Sequence, residues 1–304
     1  MSNKNEVPIL FLVFNRPETE KKVFEVIKKI RPSELYVAAD GPRKNKKVEL
    51  ERCREARRLI DEGIDWNCKV HKLYRNKNLG CKIAVSSAID WFFENVEEGI
   101  ILEDDCLPDS SFFEFCSIML EKYRHDEKIM HISGDNYQPE LSKLPNSYYF
   151  SRYPNIWGWA TWRRAWNKYS VSLENWRKEN LKNIFSNMSL LEKLYWSNNF
   201  DLVEKGLVST WDYQWVLTLF KANGYSINPN VNLIENIGFG NGATHTTTTR
   251  GPKFVRHKLK FPIIHPRDIT IDKNKDDYLK FKMFNINIFI VLYQYLKIVG
   301  LIKI

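Results

Sequence analysis

The sequence predicts an α/β protein built on a mixed, mostly parallel sheet that is flanked by helices. Short apolar segments alternate with amphipathic helical segments over the first third of the chain, which is typical of such sheets. The first apolar segment, 7–14, is continuous rather than alternating, as expected for a strand covered on both faces. The chain has 304 residues and is 43% apolar and 14% aromatic, enough for a large core.

The elements follow one another with short connections. After the strand over 7–14, helical spacing predicts a helix over 18–30, whose apolar residues form one stripe. The pattern then predicts, in order, a strand over 35–39, a helix over 48–60, a strand over 69–74, a helix over 83–93, a strand over 99–102, a helix over 110–123 and a strand over 129–133. This succession predicts a Rossmann-like arrangement.

Polar side chains follow each of the first four strands. They are Asn15 and Arg16 after the first, Asp40 and Arg43 after the second, Asn78 and Lys82 after the third, and Glu103, Asp104 and Asp105 after the fourth. Ligands of parallel sheets bind beyond the carboxyl ends of the strands, so we expect these side chains to converge on one site. No G-x-G-x-x-G pattern or Walker-type loop follows the first strand, so neither dinucleotide nor P-loop binding is predicted.

The three consecutive acids need a positive partner, because adjacent negative charges repel one another. Carboxylate oxygens suit Mg²⁺ and Mn²⁺, which proteins hold with one or two carboxylates plus phosphate oxygens. A metal-bridged diphosphate would therefore fit this edge, with Arg16, Arg43 and Lys82 sharing the phosphates. The alternative is an acidic turn in water, with the basic residues as solvated surface charges.

Two aromatic segments are notable in the second half. Residues 157–162 read WGWATW, and Trp159 is predicted to contact a sugar ring unless the segment belongs to the core. The segment TWDYQW places Asp212 between aromatic residues, where desolvation would raise its pKa and suit it to act as a general base. The alternative is that Asp212 caps a helix over 213–222.

The stretch 238–246, GFGNGATHT, is rich in glycine. We expect it to close over a bound substrate and exclude water. His245 within it is a candidate contact to the metal or the diphosphate. The alternative for a lone histidine in a polar loop is solvation.

The ordered motifs FLVFNRPE, AADGPR, NLGCK and IILEDDCLPDSSFFEF resemble the GT-A nucleotide-sugar glycosyltransferases, and are most similar to the inverting N-acetylglucosaminyltransferase I type and its bacterial relatives. The resemblance covers residues 7–120 and returns near TWDYQW and FGNGATHT. It implies a GT-A fold, a UDP-sugar donor carrying N-acetylglucosamine or another hexose, and Mn²⁺ or Mg²⁺.

The resemblance also implies a role for each matched residue. Asp105 matches the metal-binding acid, while Asp104 and Glu103 match groups that face the donor's ribose and sugar hydroxyls. Asp40 matches the acid that contacts uracil, and Arg16 matches an arginine that reaches the donor. The family's catalytic acid lies in a Trp-Asp-Asp-Trp context, from which this chain departs. Asp212 is the only carboxylate in the matching segment TWDYQW, so the resemblance assigns it the role of general base.

The resemblance gives an expected organisation of the chain. Residues 1–135 would form the nucleotide-sugar-binding half and 136–250 the acceptor and catalytic half of one domain. Residues 251–304 would form a C-terminal extension ending in an amphipathic helix. The apolar stretch 281–304 is interrupted by polar residues, so we expect it to lie on a membrane surface or to pack back on the domain.

The leading hypothesis is thus an inverting, metal-dependent transfer to a glycan, glycolipid or other glycoconjugate hydroxyl. A sugar nucleotidyltransferase is the enzyme alternative. The net charge of +9 also allows a nucleic-acid-binding protein, but the aromatic residues lie apart from the main basic run, so nucleic acid is not expected. Five scattered cysteines and no signal-like start predict a cytoplasmic protein. Peripheral contact with the inner face of the membrane is expected only if the C-terminal stretch lies on the membrane rather than packing on the domain.

Overall fold

The structure is a computed structural model that describes residues 6–138, 145–238 and 254–302. The strands are β1 (Ile9–Val13), β2 (Glu34–Ala39), β3 (Lys69–Tyr74), β4 (Glu98–Glu103), β5 (Cys106–Pro108), β6 (Ile129–Ser133), β7 (Tyr148–Ser151), β8 (Trp159–Trp162), β9 (Tyr225–Pro229) and β10 (Ile234–Asn236). The α-helices are α1 (Pro17–Ile30), α2 (Lys47–Gly63), α3 (Gly80–Asn95), α4 (Ser111–Lys122), α5 (Arg163–Trp166), α6 (Leu181–Ile184), α7 (Leu190–Glu204), α8 (Asp212–Ala222), α9 (Lys273–Tyr278) and α10 (Ile288–Ile298). A 3₁₀ turn covers Trp176–Lys178, and a π-helical segment covers Leu279–Met283.

Eight strands form one sheet in the order β3-β2-β1-β4-β8-β6-β9-β7. The pairs β1–β2, β2–β3, β1–β4 and β6–β9 are parallel, whereas β8 runs antiparallel to both β4 and β6, and β7 runs antiparallel to β9. Strands before and after residue 135 therefore share the sheet. The predicted fold class, a Rossmann-like and mostly parallel sheet flanked by helices, is confirmed.

Two apolar clusters cover the two faces of the sheet. The cluster that contains Phe11 is packed by α1, α2 and α4, and the cluster that contains Leu10 is packed by α3, α5 and α8. Successive strand side chains point to opposite faces, so both faces need apolar residues. This double burial explains why β1 reads as an unbroken apolar run.

The connections reverse the strand order beside β1. The chain passes from β1 outward to β2 and β3, and then returns to place β4 on the other side of β1. Such a reversal of strand order opens a ligand crevice at the carboxyl ends of the two strands. Arg16 follows β1 and the acidic triplet ends β4, so both lie at this point.

A two-stranded ribbon brings a distant segment to the same place. Directly after the triplet, β5 pairs antiparallel with β10. The N–H of Ile237 then donates to the backbone oxygen of Asp105 at 2.8 Å. The ribbon thus holds the start of the glycine-rich stretch against the end of β4.

The C-terminal region packs on a third cluster of apolar side chains, formed with α7 and α8. Its last helix, α10, lies against α7. Within the ranges that the structure covers, no helix combines the length and apolar character needed to cross a membrane.

Candidate active site

The acidic triplet meets Arg16 in the crevice. Nη1 of Arg16 donates to Oδ2 of Asp105 at 2.9 Å, and Nη2 donates to Oδ1 of Asp104. The side chains are 19% exposed for Arg16, 4% for Asp104 and 15% for Asp105. A guanidinium therefore supplies the positive partner that the triplet requires.

The site holds more acid than base. Burial alone would lower the pKa of Arg16, but the charges of Asp104 and Asp105 raise it, so Arg16 stays charged. Burial and the neighbouring carboxylates raise the pKa of Glu103. Burial also raises the pKa of Asp104, although Arg16 opposes this. The raised pKa of Glu103 keeps this acid protonated at neutral pH. Arg16 then faces the two carboxylates of Asp104 and Asp105, which leaves one negative charge able to attract a further cation.

Behind the triplet lies a fourth acid, Glu20 of α1. Its side chain is fully buried, and neither carboxylate oxygen has a hydrogen-bond partner. Burial, together with the charges of Asp104 and Glu55, raises the pKa of Glu20 to about 9. Glu20 is therefore protonated at neutral pH and adds no negative charge to the cluster.

The residues fit a divalent ion only when another ligand completes the site. In the described part of the chain, no group of three His, Cys, Asp or Glu side chains is arranged to hold a metal. Asp105 lies at the outer end of the triplet, and Oδ2 of Asp104 is buried without a hydrogen-bond partner. These hard oxygens suit Mg²⁺ or Mn²⁺ with phosphate oxygens as the remaining ligands. His245 lies outside the described residues.

Asp40 anchors the loop that follows β3. Its carboxylate accepts hydrogen bonds from the backbone N–H groups of Gly41, Leu79 and Gly80, at 2.9 to 3.2 Å, and from Nδ2 of Asn78 at 2.9 Å. Both oxygens are thus engaged, and the start of α3 is fixed beside the crevice. A contact from Asp40 to a nucleotide base would compete with these bonds and stays a prediction.

Asn15 and Arg43 form a separate group at the rim. Nε of Arg43 donates to Oε2 of Glu49 at 2.8 Å, and Nδ2 of Asn15 donates to the same oxygen at 3.3 Å. Glu49, on α2, thereby joins the segments that follow β1 and β2. Lys82 lies in the first turn of α3 and is half-buried.

Asp212 begins α8, and an aromatic cluster sets its position. Trp211 stacks on Trp159 with ring centroids 5.6 Å apart, and Trp215 lies 5.8 Å from the same ring. Oδ1 of Asp212 accepts from Oγ1 of Thr210 at 2.5 Å and from the N–H of Tyr213 at 2.8 Å. A carboxylate in the first turn of a helix is also favoured by the helix dipole.

Asp212 and the triplet interact electrostatically. The charge of Asp212 contributes to the raised pKa of Glu103. Burial, followed by the charges of Glu103, Asp212, Asp105 and Asp40, raises the pKa of the Cys81 thiol to about 12. The ends of β2 and β4 and the start of α8 thus lie within electrostatic range of Cys81.

Trp159 has no surface to offer a sugar. Its side chain is 1% exposed and belongs to the cluster on the α3 face of the sheet. This burial favours the core alternative over a donor contact and corrects the expectation drawn from the sequence. The ring supports Trp211, and through it the start of α8.

Gly238 allows the ribbon to approach the acidic pair. A Cβ at this position would lie 2.2 Å from Oδ2 of Asp105 and 2.8 Å from Nη1 of Arg16, closer than a side chain can pack. Only glycine fits here without displacing the pair. The predicted closing stretch 238–246 thus starts against Arg16 and Asp105; its residues from 239 onward are outside the described ranges.

Asp135 is a buried acid that the sequence analysis did not assign to the site. It follows β6, is fully buried, and neither carboxylate oxygen has a hydrogen bond of normal geometry. Burial raises its pKa to about 8. Burial, together with the charges of Asp105, Glu103 and Asp135, also raises the pKa of Cys106. The strand-end rule that selected the triplet, applied to 129–133, would have found it.

No protein-family model matches the chain, and no curated protein is significantly similar to it. Among solved structures, TarS 1–349 from S. aureus is similar with a TM-score of 0.39 and 8% identity, covering 75% of this chain and 59% of that one. The UTP-bound UGPase from Acinetobacter baumannii is similar with a TM-score of 0.35 and 9% identity, covering 74% of this chain and 85% of that one. The 4-diphosphocytidyl-2C-methyl-D-erythritol synthase from Anaerococcus prevotii has a TM-score of 0.36 and 7% identity, covering 81% of this chain and 94% of that one. Similarities of this size assign no family, so the chain's own side chains have to indicate its function.

Proposed function

We propose that the protein is an inverting glycosyltransferase that moves a sugar from a UDP-sugar to a hydroxyl of a glycan or glycoconjugate. The observation that carries the proposal is the contact of Arg16 with Asp104 and Asp105 in the crevice between β1 and β4. A cation held among acids at this position suits a diphosphate that arrives with a divalent metal.

The triplet and Arg16 would hold the donor's diphosphate. Asp105, supported by Asp104, would ligate Mn²⁺ or Mg²⁺, and Arg16 would contact phosphate oxygens. A bound divalent ion would neutralise the charge that builds on a departing UDP. The backbone at Gly238 would close one side of the diphosphate site, since the ribbon already touches Asp105.

Asp212 would act as the general base. A base must lie near the acceptor hydroxyl and be ionised when that hydroxyl attacks. The hydrogen bonds from Thr210 and from the N–H of Tyr213 favour the ionised carboxylate. Among the described residues, a single candidate base and no assigned nucleophile fit direct displacement, which inverts the anomeric carbon.

The alternative is a sugar nucleotidyltransferase, which would use the same acids to join a nucleotide to a sugar phosphate. Such an enzyme needs a loop that grips phosphates after the first strand. Here residues 14–16 lead directly into Pro17 of α1 without a glycine. This connection favours the glycosyltransferase.

The decisive assay compares two products. The protein is incubated with UDP-sugars and Mn²⁺, and release of UDP is measured. In parallel, release of pyrophosphate is measured with UTP and sugar 1-phosphates. The proposal expects metal-dependent UDP release; pyrophosphate formation without UDP release would establish the alternative.

Two variants assign the roles. Asp105→Ala is expected to abolish turnover and the metal-dependent thermal stabilisation by UDP-sugar. Asp212→Asn is expected to keep that stabilisation and to lower transfer roughly 10²- to 10⁴-fold. Glu114→Gln, at an exposed position on α4, is the matched control. Turnover within twofold of the wild type in Asp212→Asn would place the base elsewhere.

A further inference from the structure

The outer surface of α10 is apolar. Residues on one side of this helix and just after it are exposed: Ile288, Phe289, Leu292, Tyr293, Tyr295, Val299 and Leu301. Phe289 is 79% exposed and Leu292 is 52% exposed. Helical spacing places 288, 289, 292, 293, 295 and 299 on a single arc, which we call the outer face of α10.

The inner face of the same helix is partly polar. Gln294 is buried, and its Nε2 donates to Oδ1 of Asn199 on α7 at 3.0 Å. Nδ2 of Asn198, also on α7, donates to the backbone oxygen of Val291 at 3.0 Å. A helix at a protein surface normally turns its apolar stripe inward and its polar side to water. α10 is apolar on both sides, because Val291 packs inward on the third cluster while the outer face is also apolar. Its outer face is therefore suited to a non-aqueous environment.

The charged side chains of the segment that contains the outer face are all basic. Residues 278–304 contain Lys280, Lys282, Lys297 and Lys303 and neither aspartate nor glutamate. Nζ of Lys297 lies 4.6 Å from the centre of the Tyr293 ring, at the border of the outer face. Lys280 pairs with Asp277 at 2.6 Å and with Glu192 at 3.5 Å, whereas Lys282 is exposed. The segment therefore attracts anions.

We infer that the outer face of α10 docks on an anionic lipid surface, with the helix axis lying in the plane of the membrane. Exposed aromatic and aliphatic side chains bordered by lysine are the composition of such interfacial helices, and juxtamembrane lysines add attraction to anionic headgroups. An isologous contact between two copies would bring the same lysines toward one another. Charge therefore favours lipid over a second copy of this chain.

This inference does not depend on the reaction in the crevice. It adds a location for the enzyme at a membrane, where a glycolipid acceptor would be concentrated. Lipid binding needs no UDP-sugar, so its test can fail while the proposed function stands, and the reverse also holds.

The test is sedimentation of the full chain with vesicles. Phosphatidylcholine vesicles are compared with vesicles that also contain phosphatidylglycerol, at low and at high salt. We expect the protein to pellet with the anionic vesicles and to be released by salt. Protein that stays in the supernatant, or that pellets equally with both vesicle types, would overturn the inference.

Variants locate the contact. Phe289→Ser is expected to weaken binding to anionic vesicles roughly tenfold or more, and Lys297→Gln roughly fivefold. The controls are Val48→Ser, at an apolar residue that is 76% exposed on α2, and Lys46→Gln at an exposed position in the preceding loop. Thermal unfolding confirms that each variant is folded. If Phe289→Ser leaves vesicle binding intact but changes the oligomeric state in sedimentation velocity, the outer face binds a second copy and the inference is wrong.

Discussion

Replacing Glu20 by glutamine is expected to stabilise the protein at neutral and alkaline pH. Glu20 is fully buried beside Asp104, and neither of its carboxylate oxygens has a partner. Its pKa is raised from an ordinary 4.5 to about 9 by burial and then by the charges of Asp104 and Glu55. The native state therefore keeps a proton that the unfolded chain releases.

The sign and size of the effect follow from this difference. Because the folded pKa is the higher one, the stability from this group is complete below about pH 4.5 and is lost progressively up to about pH 9. At pH 7, which is 2.5 units above the ordinary pKa of 4.5, the free energy of unfolding is lower than at acidic pH by at most about 3.4 kcal/mol. Glutamine does not ionise and keeps a similar shape, so Glu20→Gln should recover roughly 1–3 kcal/mol at pH 7, or about 2–8 °C in Tm.

The measurement is thermal and urea unfolding of both proteins at pH 5 and pH 8. The difference should be small at pH 5 and large at pH 8. Glu25→Gln, at an exposed residue of the same helix, should show neither effect. If Glu20→Gln is destabilising by the same amount at both pH values, Glu20 is ionised and paired in the native protein, and the reasoning fails.

Three further predictions test other contacts. Gly238→Ala should lower donor-dependent turnover tenfold or more with little change in Tm, because its Cβ would displace Asp105; normal turnover would show that the ribbon yields freely. Asp40→Asn should cost about 1–3 kcal/mol in urea unfolding, since its amide would face the donors at Asn78 and Gly80; unchanged stability would mean that these bonds contribute nothing. Asp135→Asn should have the same free energy of unfolding as the wild type near pH 4 and become increasingly more stable than the wild type toward pH 8, because the native pKa of Asp135 is about 8. If the unfolding free energies of the two proteins change with pH in parallel, Asp135 is not a buried, protonated acid.

Many of the helices and strands could be predicted from local sequence patterns alone. The strands predicted over 69–74 and 129–133 have the observed bounds of β3 and β6, and the helix predicted over 18–30 begins one residue earlier, at Pro17. Periodicity suffices for such elements because burial on one or both faces fixes which positions must be apolar. The strand-end rule also placed Arg16 and the triplet at one edge, because parallel strands end together.

What only the tertiary structure decided were contacts between distant parts of the chain. Arg16 and Asp105 are 89 residues apart, and no local pattern pairs a particular arginine with a particular acid. The insertion of β8 between β4 and β6 buried Trp159, which its composition alone could not distinguish from a sugar-binding surface. Likewise, an apolar helix can turn either face inward, and the packing of Val291 and Gln294 against α7 fixed the direction in α10. Local sequence sets which residues prefer burial, but the arrangement of the whole chain determines which partner buries them and what is left facing outward.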